Sequence, residues 1–292
     1  MSLKDFYYKN YKKIMIIPFV LFVIFLVILG TKFAQTGELI NKDVSLSGGI
    51  SATVYTGEEI NAQDLESKLA DELKEQVFIT PLKDYTTNEN KGIIVEISNT
   101  NLNNELKQAL EKNLSLTLTQ DNYSVEETGN SLGSSFYKEM LIAMLIAFIL
   151  MGIVIFITFK SFAPSIAVIF SALFDIIAVL AVIDFIGIRV STAGISAILL
   201  VIGYSVDTDV LLTTRLLKRR EGELMDRAIG AMKTGLTMTI TTIAAVTAGY
   251  ILTNSIVFKQ IFMIIGIACI FDIISTYLMN LGILIWYIER KK

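Results

Sequence analysis

Six stretches of this sequence are each long and apolar enough to cross a lipid bilayer, and a long polar stretch separates the first from the second. Inside a bilayer no water is available to exposed backbone N–H and C=O groups, so a spanning segment must be a helix or part of a closed barrel. A spanning helix needs about 20 mainly apolar residues. The first run is 14–32, and the other five lie within 136–288, at about 137–159, 163–184, 190–214, 229–252 and 258–287. The composition agrees, with 53% hydrophobic residues over 292 and a mean hydropathy of +0.60. The expectation is an α-helical polytopic membrane protein with six transmembrane helices. Lys4, Lys9, Lys12 and Lys13 precede the first run. A cleaved signal peptide has a shorter apolar core and a small-residue cleavage site. The run is therefore read as a retained anchor.

The polar stretch 33–135 is rich in Asn, Glu, Lys and Thr and predicts a separate α+β domain inserted between helices 1 and 2. "GGISATVYT", "QVFITPL" and "KGIIVEIS" read as strands. "NAQDLESKLADEL" places Leu65, Leu69 and Leu73 at i, i+4, i+8 behind an Asn61 cap, which predicts an amphipathic helix. "NNELKQALEKNL" repeats that period through Leu106, Leu110 and Leu114. "LSLTLTQ" reads either as a last strand or as the end of that helix. The order β-α-β-β-α-β predicts a small ferredoxin-like domain.

Charge sets an expected orientation. Lys and Arg gather at the N-terminus, at Lys160, at Arg215, Lys218, Arg219, Arg220 and Arg227, and at the C-terminal end. The short loops of the other side hold Arg189 and Lys259. The positive-inside rule then places 1–13 and 289–292 in the cytoplasm and 33–135 outside it, in a cell membrane. Net charge is only −3, with no basic stripe interleaved with aromatics, so nucleic acid is not an expected partner. Histidine is absent and there is a single cysteine, Cys269. That removes His-based acid–base chemistry and argues against a zinc site. No Gly-x-x-x-x-Gly-Lys-Ser/Thr phosphate loop occurs. No cofactor, no metal and no enzymatic activity are expected.

Charged residues inside the spans are the candidates for function. They are Asp175, Asp207, Asp209, Asp272 and Lys233, with Asp184 near the outer end of its span. A charge at mid-bilayer costs roughly 2.5–3.5 kcal/mol on insertion scales, so such residues usually face protein, water or a partner charge. The functional reading is a proton or ion relay. The plain alternatives are helix–helix hydrogen bonding for Asp175 and Asp272, interfacial water for Asp209 and snorkelling for Lys233. Asp207 leads the candidates, because Gly203, Ser205 and Thr208 around it are small or hydroxylated. Asp207 and Asp209 stand about 200° apart around a helix and cannot share a face. The fifth span carries Thr234, Thr237, Thr239, Thr241, Thr242 and Thr247. Those hydroxyls either bond their own backbone or form a polar seam beside Asp207.

Three stretches carry a resemblance. "VSLSGGISATVY", with Gly48 and Gly49, "FSALFDIIAVLAV", with Asp175, and "GYSVDTDVLLTTRLLKR", with Gly203, Tyr204 and Ser205, follow one another in this topology. The chain resembles the SecF subunits of the SecD–SecF protein-export membrane complex, within the resistance-nodulation-division (RND) superfamily, and is more archaeal-like than bacterial-like. Where the bacterial signature reads Gly-Tyr-Ser-x-Asn-Asp-Thr, this chain has Asp207 at the Asn, Thr208 at the Asp and Asp209 next. SecD and many relatives place their acid at Asp207. The bacterial arginine of the fifth span falls at Lys233. The resemblance implies one six-span RND-type half and a SecD partner for the other half. It also implies the Sec translocation channel and unfolded preproteins as further partners, and a proton or sodium gradient as the energy source. Two alternatives stay open: half of an RND-type lipid or small-molecule transporter, and a non-transporting Sec scaffold.

Overall fold

The computed structural model describes residues 3–83, 89–218, 222–253 and 255–291. Arg219 and Arg220, used above for orientation, lie outside the described residues. Among the described residues, six helical stretches are long and apolar enough to cross a membrane: Lys4–Thr36, Asn130–Phe159, Phe162–Ile186, Thr192–Leu217, Leu224–Leu252 and Ile256–Lys291.

The first stretch is two helices, α1 (Leu3–Ile14) and α2 (Ile16–Thr36). Pro18 has no N–H to offer Ile14, and the helix breaks at Met15. The basic segment ahead of the first apolar run is therefore α1, with Tyr7 and Tyr11, one turn apart, buried against the bundle. The last stretch is also compound. It runs as α10 (Ile256–Ile274), a π-helical segment (Ser275–Asn280) and α11 (Leu281–Lys291). Between these ends lie α6 (Asn130–Phe159), α7 (Phe162–Ile186), α8 (Thr192–Leu217) and α9 (Leu224–Leu252). Every helix here is apolar, so burial and not composition identifies the centre. The most apolar window of α7 is 61% buried and that of α6 only 6%. The core is α7, α8 and α10, knit by Val179, Ile183, Ile198, Val201, Ile264 and Ala268. α2 packs Phe25 and Leu29 onto Phe174 and Ala178 of α7.

The polar stretch forms a four-stranded sheet under two helices. The strands are β1 (Gly49–Tyr55), β2 (Val77–Lys83), β3 (Asn90–Ile97) and β4 (Tyr123–Thr128). Their order is β2-β3-β1-β4, and every neighbouring pair is antiparallel. The helices are α4 (Ala62–Leu73), capped by Asn61 accepting from the Asp64 N–H, and α5 (Asn103–Leu114). Alternation sends Ile50, Ala52, Val54, Ile93, Val95 and Ile97 toward Leu65, Leu69, Leu106 and Leu110. Beyond Leu114, which closes α5, "LSLTLTQ" is neither strand nor helix. Ser115 ends α5 in the left-handed conformation, and Leu118 plugs the core. The Asn122 side chain accepts from Thr119 N–H at 2.7 Å and donates to Thr117 O at 3.0 Å, turning the chain into β4.

Between α2 and β1 a short helix, α3 (Val44–Ser47), starts at Asp43. Gly48 and Gly49 follow with φ of +82° and +134°. A Cβ on Gly48 would lie 2.4 Å from Asn130 Cα, and one on Gly49 would lie 2.2 Å from Ile97 O. Gly48 therefore crosses the first turn of α6 and Gly49 the end of β3, each at an approach where only glycine fits.

Candidate functional site

Three carboxyls meet in the bundle core. Asp175 comes from α7, Asp209 from α8 and Asp272 from α10, and all three are buried. Each is held by hydroxyl or amide donors. The Ser205 hydroxyl donates to Asp175 Oδ2 at 2.5 Å. Thr208 Oγ1 lies 2.8 Å from Asp272 Oδ1, and Thr276 Oγ1 lies 3.3 Å from the same oxygen. Asn280 Nδ2 donates to Asp209 Oδ1 at 2.7 Å.

The local sequence explains the convergence. Ser205, Thr208, Asp209 and Leu212 fall at i, i+3, i+4, i+7 and form the buried face of α8. On the facing element Asp272, Thr276 and Asn280 are spaced i, i+4, i+8. At about 100° per residue, eight residues overshoot two turns by about 80°. The π-helical segment 275–280 winds more slowly and turns Asn280 back toward the face of Asp272.

One oxygen of each carboxyl, Asp175 Oδ1, Asp209 Oδ2 and Asp272 Oδ2, has no hydrogen-bond partner among the described residues. The Asn280 Oδ1, Tyr277 hydroxyl, Ser171 hydroxyl and Thr213 hydroxyl are also buried without one. Among the described residues no Lys or Arg forms an ion pair with these acids. A buried carboxylate without a cation is costly and is relieved by taking up a proton or by binding an ion. The arrangement therefore suits proton or cation exchange.

The candidates read from the sequence divide in two. Asp175, Asp209, Asp272 and Ser205 belong to the cluster. Asp207, the leading candidate, does not. It is exposed on the far side of α8, in one stripe with Ser196, Leu200 and Gly203. Lys233 is exposed on α9, and no ion pair joins it to Asp207 among the described residues. Asp209, a relay candidate with interfacial water as its plain alternative, is fully buried. The α9 hydroxyls of Thr234, Thr237, Thr239, Thr241 and Thr242 bond carbonyls three or four residues back on their own helix. They form no seam around Asp207, and Thr239 alone of these five is buried. Tyr204 is half-buried with its hydroxyl unpartnered. Asp184 is paired with Lys32 of α2 and receives a hydrogen bond from Asn41 at 3.4 Å. Thr276 and Asn280 escaped the sequence reading, although their spacing from Asp272 was a visible polar stripe in an apolar run.

The protein export membrane protein SecD/SecF, C-terminal family matches residues 96–290. The chain is 35% identical over 290 residues to the protein-export membrane protein SecF of Methanocaldococcus jannaschii, covering 97% of this chain and 98% of that protein. It is 34% identical over 289 residues to the SecF of Methanothermobacter thermautotrophicus, covering 97% and 94%. Among solved structures it is similar to a Thermus SecDF, a translocon-associated membrane protein, with a TM-score of 0.76 at 17% identity over 99% of this chain. SecDF in its super-membrane-facing form gives a TM-score of 0.63 at 17% identity over 97% of this chain. At such identity the likeness is one of fold. The chain spans only 40% and 39% of those two longer polypeptides. A family match through the bundle, and relatives aligned nearly end to end, establish that this chain belongs to the SecF family of protein-export membrane proteins.

Proposed function

We propose that this SecF-family chain works with a SecD partner to assist Sec-dependent export, using a proton or sodium gradient. The observation that carries this reading is the cation-free trio Asp175, Asp209 and Asp272 in the bundle core. A proton or ion arriving there changes which groups Ser205, Thr208, Thr276 and Asn280 can bond. Those donors sit on α8 and on the α10–π-segment unit, so their exchange shifts these elements against each other. In this reading both termini lie in the cytoplasm. The 33–135 stretch, whose ends run into α2 and α6, is a ferredoxin-like extracytoplasmic domain, supported by its β-α-β-β-α-β order and all-antiparallel sheet. Unfolded preproteins and the Sec channel are the partners on that outer side.

The exposed stripe Ser196, Leu200, Gly203 and Asp207 of α8 is proposed as the SecD-facing surface, together with Lys233, Thr237, Thr241 and Ala244 of α9. Small and hydroxylated residues suit close packing of membrane helices. A lone Asp facing lipid would cost roughly 2.5–3.5 kcal/mol, which a partner helix relieves.

Membrane vesicles with an imposed proton or sodium gradient test the reading. Asp209→Asn, Asp175→Asn and Asp272→Asn should each reduce gradient-stimulated export at least tenfold while leaving SecD copurification intact. Asp207→Asn should weaken SecD copurification more than relay. Full gradient-stimulated export by Asp209→Asn would remove the relay.

A further inference from the structure

A second buried polar assembly lies where the outer domain meets the bundle, and it touches both helices that carry Asp209 and Asp272. It is centred on Arg189, in the loop between α7 and α8. Arg189 Nη1 donates to Glu96 Oε2 at 2.5 Å, and Nε donates to Lys42 O at 3.1 Å. The guanidinium also lies over the Phe78 ring, 4.0 Å from its centroid. Phe78 and Glu96 are opposite one another in the β2–β3 register, on the sheet face turned away from α4 and α5. The pair is well shielded, at 17% and 14% exposure. Asp43 is the other charged group close to Arg189, while Lys42 turns its ammonium to Glu38 and the Tyr137 ring.

The backbone side of this assembly leads into the bundle. The Arg189 carbonyl accepts from Gln260 Nε2 of α10 at 2.6 Å. Gln260 Oε1 accepts from Ser191 N–H at 3.2 Å and from the Ser191 hydroxyl. Ser191 is the N-cap of α8, accepting from Gly194 N–H at 3.2 Å. Gly194 makes room for this approach, since a Cβ there would lie 2.9 Å from Gln260 Oε1. One amide from α10 thus grips the first turn of α8 with its oxygen and the Arg189 backbone with its nitrogen. Strand-like bonds on either side tighten the joint. Val190 N–H donates to Asn41 O at 2.7 Å, Asp43 N–H to Val190 O at 3.1 Å, and Thr192 N–H to Ser45 Oγ at 3.0 Å.

We infer that Gln260 and Arg189 are positioning residues that transmit sliding of α8 against α10 to the outer sheet. The inference rests on the relay reading of the acid cluster. The physical case is geometric. A shift of α10 along α8 must either break the Gln260–Ser191 contacts or drag the 189–192 segment with it. Arg189 moves with that segment, and its planar fork and ring contact pass the displacement to Glu96 and Phe78. A buried ion pair contributes little net stability over apolar residues of similar size, whereas its geometry fixes orientation. That is what a joint between two bodies requires.

The test uses the full chain reconstituted with SecD, with Asp209→Asn as the neutral form of that acid. Hydrogen exchange of 272–280 reports on the bundle. A spin-label pair at Tyr55 and Phe185, both exposed, reports on the outer domain, with Cys269 changed to Ala. In the otherwise native chain Asp209→Asn should alter both readouts. With Gln260→Met or Arg189→Lys added, the exchange response should persist while the label-distance shift falls at least threefold. Arg189→Lys keeps the cation without the fork, so it reads out coupling even if Gln260→Met fails to assemble. A full distance shift in both variants refutes the joint. No response at either readout in the native background removes the relay reading, and the coupling with it.

Discussion

Asp207 and Asp209 are separated by one residue, Thr208, in the chain and by their whole surroundings in the fold. The 200° between them is legible in the sequence, but which of the two faces the core is not. Hydropathy cannot separate a protein-facing from a lipid-facing position when both are apolar. Gly48 and Gly49 are the opposite case, flagged by motif and explained by space. Gly49→Val places a branched side chain where even a Cβ meets Ile97 O at 2.2 Å, at a φ of +134°. It should destabilise the chain by about 2 kcal/mol or more, read as a severalfold lower level in membranes. Normal levels would mean that the crossing is looser than described. The joint offers a pH effect as well. Burial pushes the Glu96 carboxyl above its ordinary range, with Arg189 opposing the rise and Asp43 adding to it. Burial also pushes Asp43 up, against its bonds from Ser45. A carboxyl raised in the folded state contributes stability that is full below its unfolded pKa, about 4, and is lost as pH climbs through the raised value. Thermal stability in detergent should therefore decline above about pH 4. Glu96→Gln should flatten that decline, and an unchanged slope would exclude Glu96 as a source.

At the scale of elements, regular helices and alternating strands were readable because burial and period coincide. The exceptions were set by contacts distant in sequence. β4 reads as polar, "YSVEET", because an edge strand buries little, and it is pinned by its register with β1. α1 shows no apolar period in the sequence because its buried face is little more than two tyrosines. The π segment has no sequence signal of its own. Its Tyr277 carbonyl accepts from the Tyr7 hydroxyl at 2.6 Å, so α1 supports the wide turn that aligns Asn280 with Asp209. Tyr7→Phe removes a buried bond of about 0.5–1.5 kcal/mol. Gradient-stimulated export should fall severalfold, less than with Asp209→Asn, at unchanged SecD copurification. Equal export by Tyr7→Phe and the native chain would detach α1 from the site.

At the scale of the molecule, six spans and an inserted domain imply an orientation that labelling can check. Asn88 and Glu221, polar positions that the sequence offers for such probes, lie outside the described residues. Tyr55 and Glu223 serve instead, being 53% exposed and 76% exposed at the side chain. With Cys269 replaced, an impermeant thiol reagent on intact cells should label Tyr55→Cys and spare Glu223→Cys, and the reverse pattern would invert the map. The joint between domain and bundle also has a consequence in time. Arg189 and its acceptor at Lys42 are 147 residues apart. At about 5–20 residues per second, a ribosome needs roughly 7–30 s to reach Arg189 after Lys42. β4 ends at Thr128, 61 residues before Arg189, so at the same rate the finished sheet waits roughly 3–12 s for that contact. Its apolar core beneath α4 and α5 has to keep it folded as an orphan, so defects there should surface during synthesis, before the membrane half exists to reveal them.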